Sequence, residues 1–141
     1  MELPAPGIVE ATIRTFCDGE PSVVSAYLFG SRAEGRAHRE SDLDVGLLLA
    51  YDRGAGAAVR FALRVRASAA LQEATGIATD VVILNEAPPT LARRIVTQGR
   101  RLFCRETELD HAFVRDAQLR AADLEPFLRR TRLVKLEALA R

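Results

Sequence analysis

Tryptophan is absent from this 141-residue chain, methionine occurs once and cysteine twice. Cys17 and Cys104 stand too far apart in sequence to suggest a zinc site, and two cysteines make no disulfide framework. They read as free, buried thiols. No apolar run approaches the ~18–20 residues that span a bilayer, so no membrane partner is expected. The start, MELPAPGIVEATIRTF, lacks the basic residues and apolar stretch of a signal peptide, which predicts a cytoplasmic location. A strong net charge is missing too. The formal value is +1, which argues against nucleic acid as the main partner. Repeats and low-complexity segments are also absent.

What is present describes a soluble globular chain of one-domain size, 48% apolar and 28% charged. The charge is unevenly placed. Residues 1–92 carry 8 basic and 12 acidic side chains, whereas residues 93–141 carry 12 basic and 7 acidic. The basic final third reads either as a solvated helix face or as a surface for an acidic partner or phosphates.

Periodicity predicts a helix over residues 7–17, with Ile8, Thr12 and Phe16 on one stripe and Val9 and Ile13 beside it. Pro4 and Pro6 precede it, and Gly19-Glu20-Pro21 ends it. Residues 22–29, SVVSAYLF, and 43–50, LDVGLLLA, read as strands, the second buried on both faces. A short helical turn is expected from Ser31 to Gly35, and Tyr51 to Ala57 reads as a loop. A helix over residues 58–75 has Ala58, Ala62, Val65 and Ala69 on one face and ends at Gly76. Residues 77–84, IATDVVIL, form a third strand. Pro88-Pro89 opens a helix running to Gln98 and closed by Gly99. Residues 100–104, RRLFC, suit a short edge strand. Two further helices are expected, roughly 106–121 and 124–139, with Asp123 as N-cap of the second and Pro126 in its first turn. Helices interleaved with strands predict an α/β or α+β class with a small mixed sheet flanked by helices. The loop joining the first two strands allows either an antiparallel return or a short crossover.

The chemistry concentrates in FGSRAEGRAHRESDLDVGLLL, residues 29–49. A strand runs into Gly30-Ser31, a polar loop follows, and Asp42-Leu43-Asp44 opens the next strand. Side chains at i and i+2 of a strand share a face, so Asp42 and Asp44 aim together. Gly30 permits close backbone approach, and Ser31 can donate a hydrogen bond to a phosphate oxygen. Asp80 lies in the third strand amid apolar residues, where a lone carboxylate calls for a partner. If that strand lies beside the one carrying Asp42 and Asp44, the three carboxylates converge. Three carboxylates suit two hard divalent cations, about 3.5–4 Å apart in two-metal sites. One cation would lower the pKa of an attacking hydroxyl, and the other would neutralise a triphosphate and its departing pyrophosphate. Taken singly, Gly30-Ser31 also reads as a plain turn, Asp42-x-Asp44 as a helix cap or solvated strand end, and Asp80 as a salt-bridge partner. Their joint occurrence, in order and at strand positions, favours the site.

The pattern G-S-x10-D-x-D with a later Asp in a strand resembles the DNA polymerase beta-like nucleotidyltransferase superfamily. Length and spacing resemble its minimal nucleotidyltransferase (MNT) branch, the antitoxins of HEPN/MNT toxin–antitoxin pairs. The stretch TDVVILNEAPPTLARRIVTQGRRLF is similar as well. The resemblance covers residues 7–104 well and the C-terminal helices loosely. It implies the polymerase beta-like fold, with a nucleotidyltransferase core over residues 1–105 and a C-terminal helical extension of the same domain over 106–141.

Carried onto this chain, the resemblance makes Asp42, Asp44 and Asp80 the catalytic, Mg²⁺-binding residues, with Asp80 also helping to activate the nucleophile. Gly30 and Ser31 would hold the nucleotide phosphates. The implied reaction moves AMP from ATP to a tyrosine of a HEPN toxin, in a hetero-oligomer with that toxin. Two other functions remain open: an antitoxin that acts by binding alone, and a small-molecule transferase similar to kanamycin nucleotidyltransferase. One departure is Glu34, where many relatives carry a basic residue. Arg32, Arg36 and Arg39 could compensate for it. His38, in the same loop, reads as an exposed residue. Arg105 and His111 superficially match the Arg-x4–6-His nuclease signature, but too little chain remains for a nuclease domain. The stripe Leu109, Phe113, Leu124, Phe127 and Leu128 reads as core packing, with an interface as the other possibility.

Overall fold

The computed structural model describes residues 5–35, 42–50 and 56–140. Arg36, His38, Arg39 and most of the Tyr51–Ala57 loop lie outside the described residues. The element order is α1 (Pro6–Asp18), β1 (Val23–Phe29), β2 (Leu43–Leu49), α2 (Ala57–Thr75), β3 (Thr79–Ile83), a single 3-10 turn (Leu84–Glu86), α3 (Pro89–Gln98), β4 (Arg100–Cys104) and α4 (Thr107–Ala140). The four strands form one mixed sheet in the order β3-β2-β1-β4. β1 pairs antiparallel with β2 and β4, and β2 pairs parallel with β3. The link between β1 and β2 is therefore the antiparallel return, and RRLFC is an edge strand as its sequence suggests.

Alternation sorts each strand's side chains onto two apolar layers. On one face, Ala26, Leu28, Val45, Leu47 and Val81 pack with Val9, Ile13 and Cys17 of α1 and Leu63, Ala67 and Leu71 of α2. On the other, Val24, Tyr27 and Leu48 pack with Leu84 and Ile95, and Phe113 of α4 closes over them. Both faces of β2 are covered, which is why LDVGLLL is apolar almost without interruption.

The stripe that α1 buries is Val9, Ile13 and Cys17, not Ile8, Thr12 and Phe16. Ile8 is exposed and Phe16 only half-buried, because the sheet and α2 together meet the Val9 side. Similarly, α2 turns Leu63, Ala67, Leu71 and Thr75 inward, leaving the Ala58–Ala62–Val65–Ala69 face toward solvent. Larger side chains on the neighbouring stripe win the burial. Gly76 ends α2 in the left-handed conformation.

The C-terminal region differs most from its sequence reading. It is one helix, α4, with Pro126 inside it. Proline removes the hydrogen bond to the Ala122 carbonyl and normally costs about 3 kcal/mol within a helix. Here Pro126 and Ala122 are both exposed, so water can satisfy that carbonyl. Glu125 bridges the interruption by pairing with Arg129 at 2.9 Å and with Arg93 of α3 at 3.9 Å. Asp123 is thus an exposed helix-interior residue rather than a cap. Past Ala121 no residue of the helix is fully buried, and only Glu125, Leu128 and Thr131 are half-buried among the described residues. Phe127, Leu133, Val134, Leu136 and Leu139 are exposed, and so are Leu109 and Leu124. The proposed core stripe is therefore mostly surface, with only Phe113 packed against the sheet.

Arg105 is accounted for structurally. Its guanidinium donates to the carbonyls of Val23, Cys17 and Asp18, closing the end of α1. It also lies 5.2 Å from the Phe103 ring. His111 is exposed, and nothing couples it to Arg105. Both cysteines are free. Cys17 is fully buried, and burial pushes its thiol up to about 12. Cys104 is only half-buried. In the native protein a thiol reagent should therefore label Cys104 and spare Cys17, with both labelled in denaturant. Equal native labelling would contradict this packing of α1.

Candidate functional site

Gly30 follows β1 directly and adopts φ +77°, a left-handed conformation. Its carbonyl accepts from the amides of Ala33 and Glu34, both at 3.2 Å, closing the turn expected at Ser31–Gly35. A Cβ at Gly30 would collide with Asp44 Oδ2 and sit 3.2 Å from Asp44 Cγ. Backbone and carboxylate are thus in direct apposition, and only glycine fits. Ser31 is half-buried in the same turn.

Asp42 immediately precedes β2 and is exposed, and Asp44 is half-buried within β2. In the parallel pairing, Asp44 stands opposite Asp80 of β3. By alternation, Asp44 shares its face with Gly46 and Leu48, and Asp80 shares its face with Val82. This is the side covered by α3. At Gly46 an added Cβ would lie 3.1 Å from Ile95 Cγ2 and 3.3 Å from Leu84 Cδ2. Glycine here lets α3 seat closely beside the carboxylates. Asn85 completes the edge: its amide bonds both the N–H and the carbonyl of Leu49 at 2.8 Å.

Two of these carboxylates act on the third. Burial first, then the charges of Asp80 and Asp42, hold the Asp44 carboxyl above its usual range. Among the described residues none of the three makes an ion pair or side-chain hydrogen bond. Asp80 is exposed on an edge strand between the buried Thr79 and Val81, so the expectation of a buried carboxylate in need of a partner is corrected. No three potential ligands among the described residues already close around a single point. The donor set nonetheless fits hard divalent cations: all oxygen, adjacent, and without a neutralising partner.

Beside this array, a cleft of about 230 Å³ opens between the Gly30–Glu34 turn and the last turns of α3, with Arg94 and Gln98 in its wall. Sequence reasoning missed these two residues. They lie some sixty positions from the Gly-Ser turn, and only the packing of Ile95 on Gly46 brings them to it.

The polymerase beta nucleotidyltransferase family matches this chain over residues 11–108. The chain belongs to that family. A curated relative, the protein adenylyltransferase MntA of Shewanella oneidensis, is 35% identical over 91 residues, which is 64% of this nucleotidyltransferase-family chain. The match spans 61% of that relative's length. A toxin–antitoxin crystal structure with AMP-PNP superposes with TM-score 0.68 at 26% identity, covering 94% of this chain and 98% of that one. An MNT antitoxin in complex with the tri-AMPylated HEPN toxin of Shewanella oneidensis superposes with TM-score 0.66 at 22% identity, covering 97% and 100%. The second likeness is one of fold. Both superpositions extend across the C-terminal helix of this family member. Among the described residues no helix is long and apolar enough to cross a membrane.

The apposition of Gly30 and Asp44 yields a direct prediction. Gly30→Ala meets a left-handed penalty of about 1–2 kcal/mol and a clash with the carboxylate. Gly35→Ala, also at positive φ (+72°) but in open space, meets the first alone. Gly30→Ala should lower the melting temperature further than Gly35→Ala. It should also weaken nucleotide binding at least tenfold, by calorimetry. Equal effects of the two variants would contradict the apposition.

Proposed function

We propose that this chain is a Mg²⁺-dependent protein adenylyltransferase that transfers AMP from ATP to a tyrosine of a partner HEPN toxin and thereby neutralises it, in the cytoplasm. The observation that carries this reading is the pairing of Asp44 with Asp80 across the parallel strands, with Asp42 two residues away and Gly30 against Asp44. The names of the relatives support the antitoxin context.

In this account Gly30 and Ser31 receive the phosphates, the turn's backbone approaching closely because no Cβ intervenes. Asp42, Asp44 and Asp80 hold two Mg²⁺ ions, which when bound supply charge neutralisation and a lowered hydroxyl pKa. Asp80, exposed at the sheet edge, faces the incoming acceptor and helps to draw off its proton. The acceptor oxygen bonds to the α-phosphorus, the bond to the bridging oxygen breaks, and pyrophosphate leaves with the electron pair. Residues 1–105 form the catalytic core and residues 106–141 its helical extension. The acceptor arrives on another protein, in a hetero-oligomer.

The test pairs the purified chain with a HEPN-type protein, ATP and Mg²⁺. Mass spectrometry should find AMP on a tyrosine of the partner. An unmodified partner in the presence of folded, nucleotide-bound enzyme would sink the proposal.

A second reading has its own observation. The distal part of α4 is exposed, apolar and basic, carrying Phe127, Leu133, Val134 and Leu136 with Arg129, Arg130, Arg132 and Lys135. Such a helix could block a partner by binding alone. That reading predicts full neutralisation by Asp44→Asn. Loss of protection by this variant, with binding retained, would exclude it.

A further inference from the structure

Glu34 is an acidic side chain beside a turn read as a phosphate cradle, where it would repel polyphosphate. Its surroundings give it a different role. It stands at the rim of the cleft that begins at Gly30, with Phe29 on one side and Arg94, Ile95 and Gln98 of α3 on the other. Among the described residues, Arg94 and Glu34 are the charged members of this lining, and their charges offset one another. The cleft lies at the C-terminal end of α3, where unsatisfied carbonyls place partial negative charge. Each feature disfavours a phosphate chain. An apolar wall with mixed donors and acceptors is the chemistry of a heterocyclic base. The volume, about 230 Å³, is below the ~300–1,000 Å³ of sites for whole drug-sized ligands and suits one part of a nucleotide. Arg94 has no carboxylate partner among the described residues, unlike its neighbour Arg93, which reaches Glu125.

We propose that this cleft is the nucleobase subsite, in which Gln98 and Glu34 hold the amine-bearing edge of an adenine, Arg94 donates to a ring nitrogen, and Phe29 forms the apolar wall. Glutamine pairs naturally with the adjacent amino donor and ring-nitrogen acceptor of adenine, and a carboxylate accepts from an exocyclic amine. With the phosphates on Gly30-Ser31, the base extends along the turn toward the C-terminal end of α3. The inference rests on the nucleotidyltransferase reading and adds to it the residues that choose the nucleotide. Glu34 then offsets no phosphate binding; it selects against inosine-type bases, which lack the amine.

Calorimetry with two probes in Mg²⁺ separates the possibilities: a non-hydrolysable ATP analogue and inorganic tripolyphosphate. Gln98→Ala and Glu34→Ala should each weaken the ATP analogue about tenfold and leave tripolyphosphate unchanged. Ser31→Ala should weaken both. Wild type should bind the inosine counterpart about tenfold more weakly than the ATP analogue, and Glu34→Ala should erase that preference. Melting temperatures near wild type are expected, since Glu34 and Gln98 are exposed. A parallel loss of tripolyphosphate in Gln98→Ala would make the cleft a phosphate site and overturn the inference. Unchanged ATP-analogue binding in both cleft variants would overturn it too. Failure of wild type to bind either probe would instead remove the nucleotidyltransferase reading beneath it.

Discussion

Asp44→Asn is expected to abolish nucleotidyl transfer, by at least about 10²-fold, and at neutral pH to raise the melting temperature of the ligand-free protein. Both effects have one origin. Asp44 is held among Asp42, Asp80 and partial burial, and its carboxyl is raised above the usual range. The folded state therefore holds this proton more tightly than the unfolded chain does. Stability associated with the group is fully present below the unfolded value and is lost as pH rises through the folded value. At neutral pH the ionised array opposes folding, and the neutral amide relieves it. The stability gained by the variant should shrink as pH falls through the carboxylate range. Mg²⁺ should raise the melting temperature of wild type and do so less for the variant. A variant less stable than wild type at neutral pH would contradict this electrostatic description.

Asp110→Ala is expected to cost about 3 kcal/mol, roughly 10 °C in melting temperature. Asp110 is 1% exposed. It accepts from the Tyr27 hydroxyl at 2.6 Å and from Arg101 Nη1 at 2.9 Å. One carboxylate thus ties the start of α4 to both β1 and β4. Burial, followed by the bond to Asp110, raises the Tyr27 hydroxyl above its usual value, so the phenol keeps its proton and remains a donor. Alanine would leave that buried hydroxyl unpartnered, while Arg101, with its side chain 40% exposed, could turn to water. That relief places the cost at the low end for a broken buried pair. Tyr27→Phe should cost about 1 kcal/mol, and the double variant less than the two separately. A cost below 1 kcal/mol for Asp110→Ala, read from denaturant unfolding, would show that the network does not hold α4.

The site and the network differ in how far the sequence reveals them. Gly30, Ser31, Asp42 and Asp44 lie within fifteen positions, and the chemistry of each residue type at a strand end is local. Asp80 was legible because a carboxylate interrupts an apolar strand, although the structure exposes it at a sheet edge. Strand and helix positions followed from periodicity, but which stripe of α1 and α2 turns inward did not. That choice depends on where the other elements sit. Pro126 misled in the opposite direction, because its local preference yields to solvent access and the Glu125–Arg129 pair. Tyr27, Asp110 and Arg101, like Arg94 and Gln98, are joined only by tertiary contacts, and no spacing announces them.

The central claim is that these three carboxylates serve AMP transfer to a partner protein. Incubation of the chain, a HEPN-type partner, Mg²⁺ and ATP labelled at the α-phosphate tests it most directly. The account predicts label on a partner tyrosine with wild type and none with Asp42→Ala, although both proteins bind the partner. Neutralisation of the partner without label, or equal labelling by the variant, would contradict it.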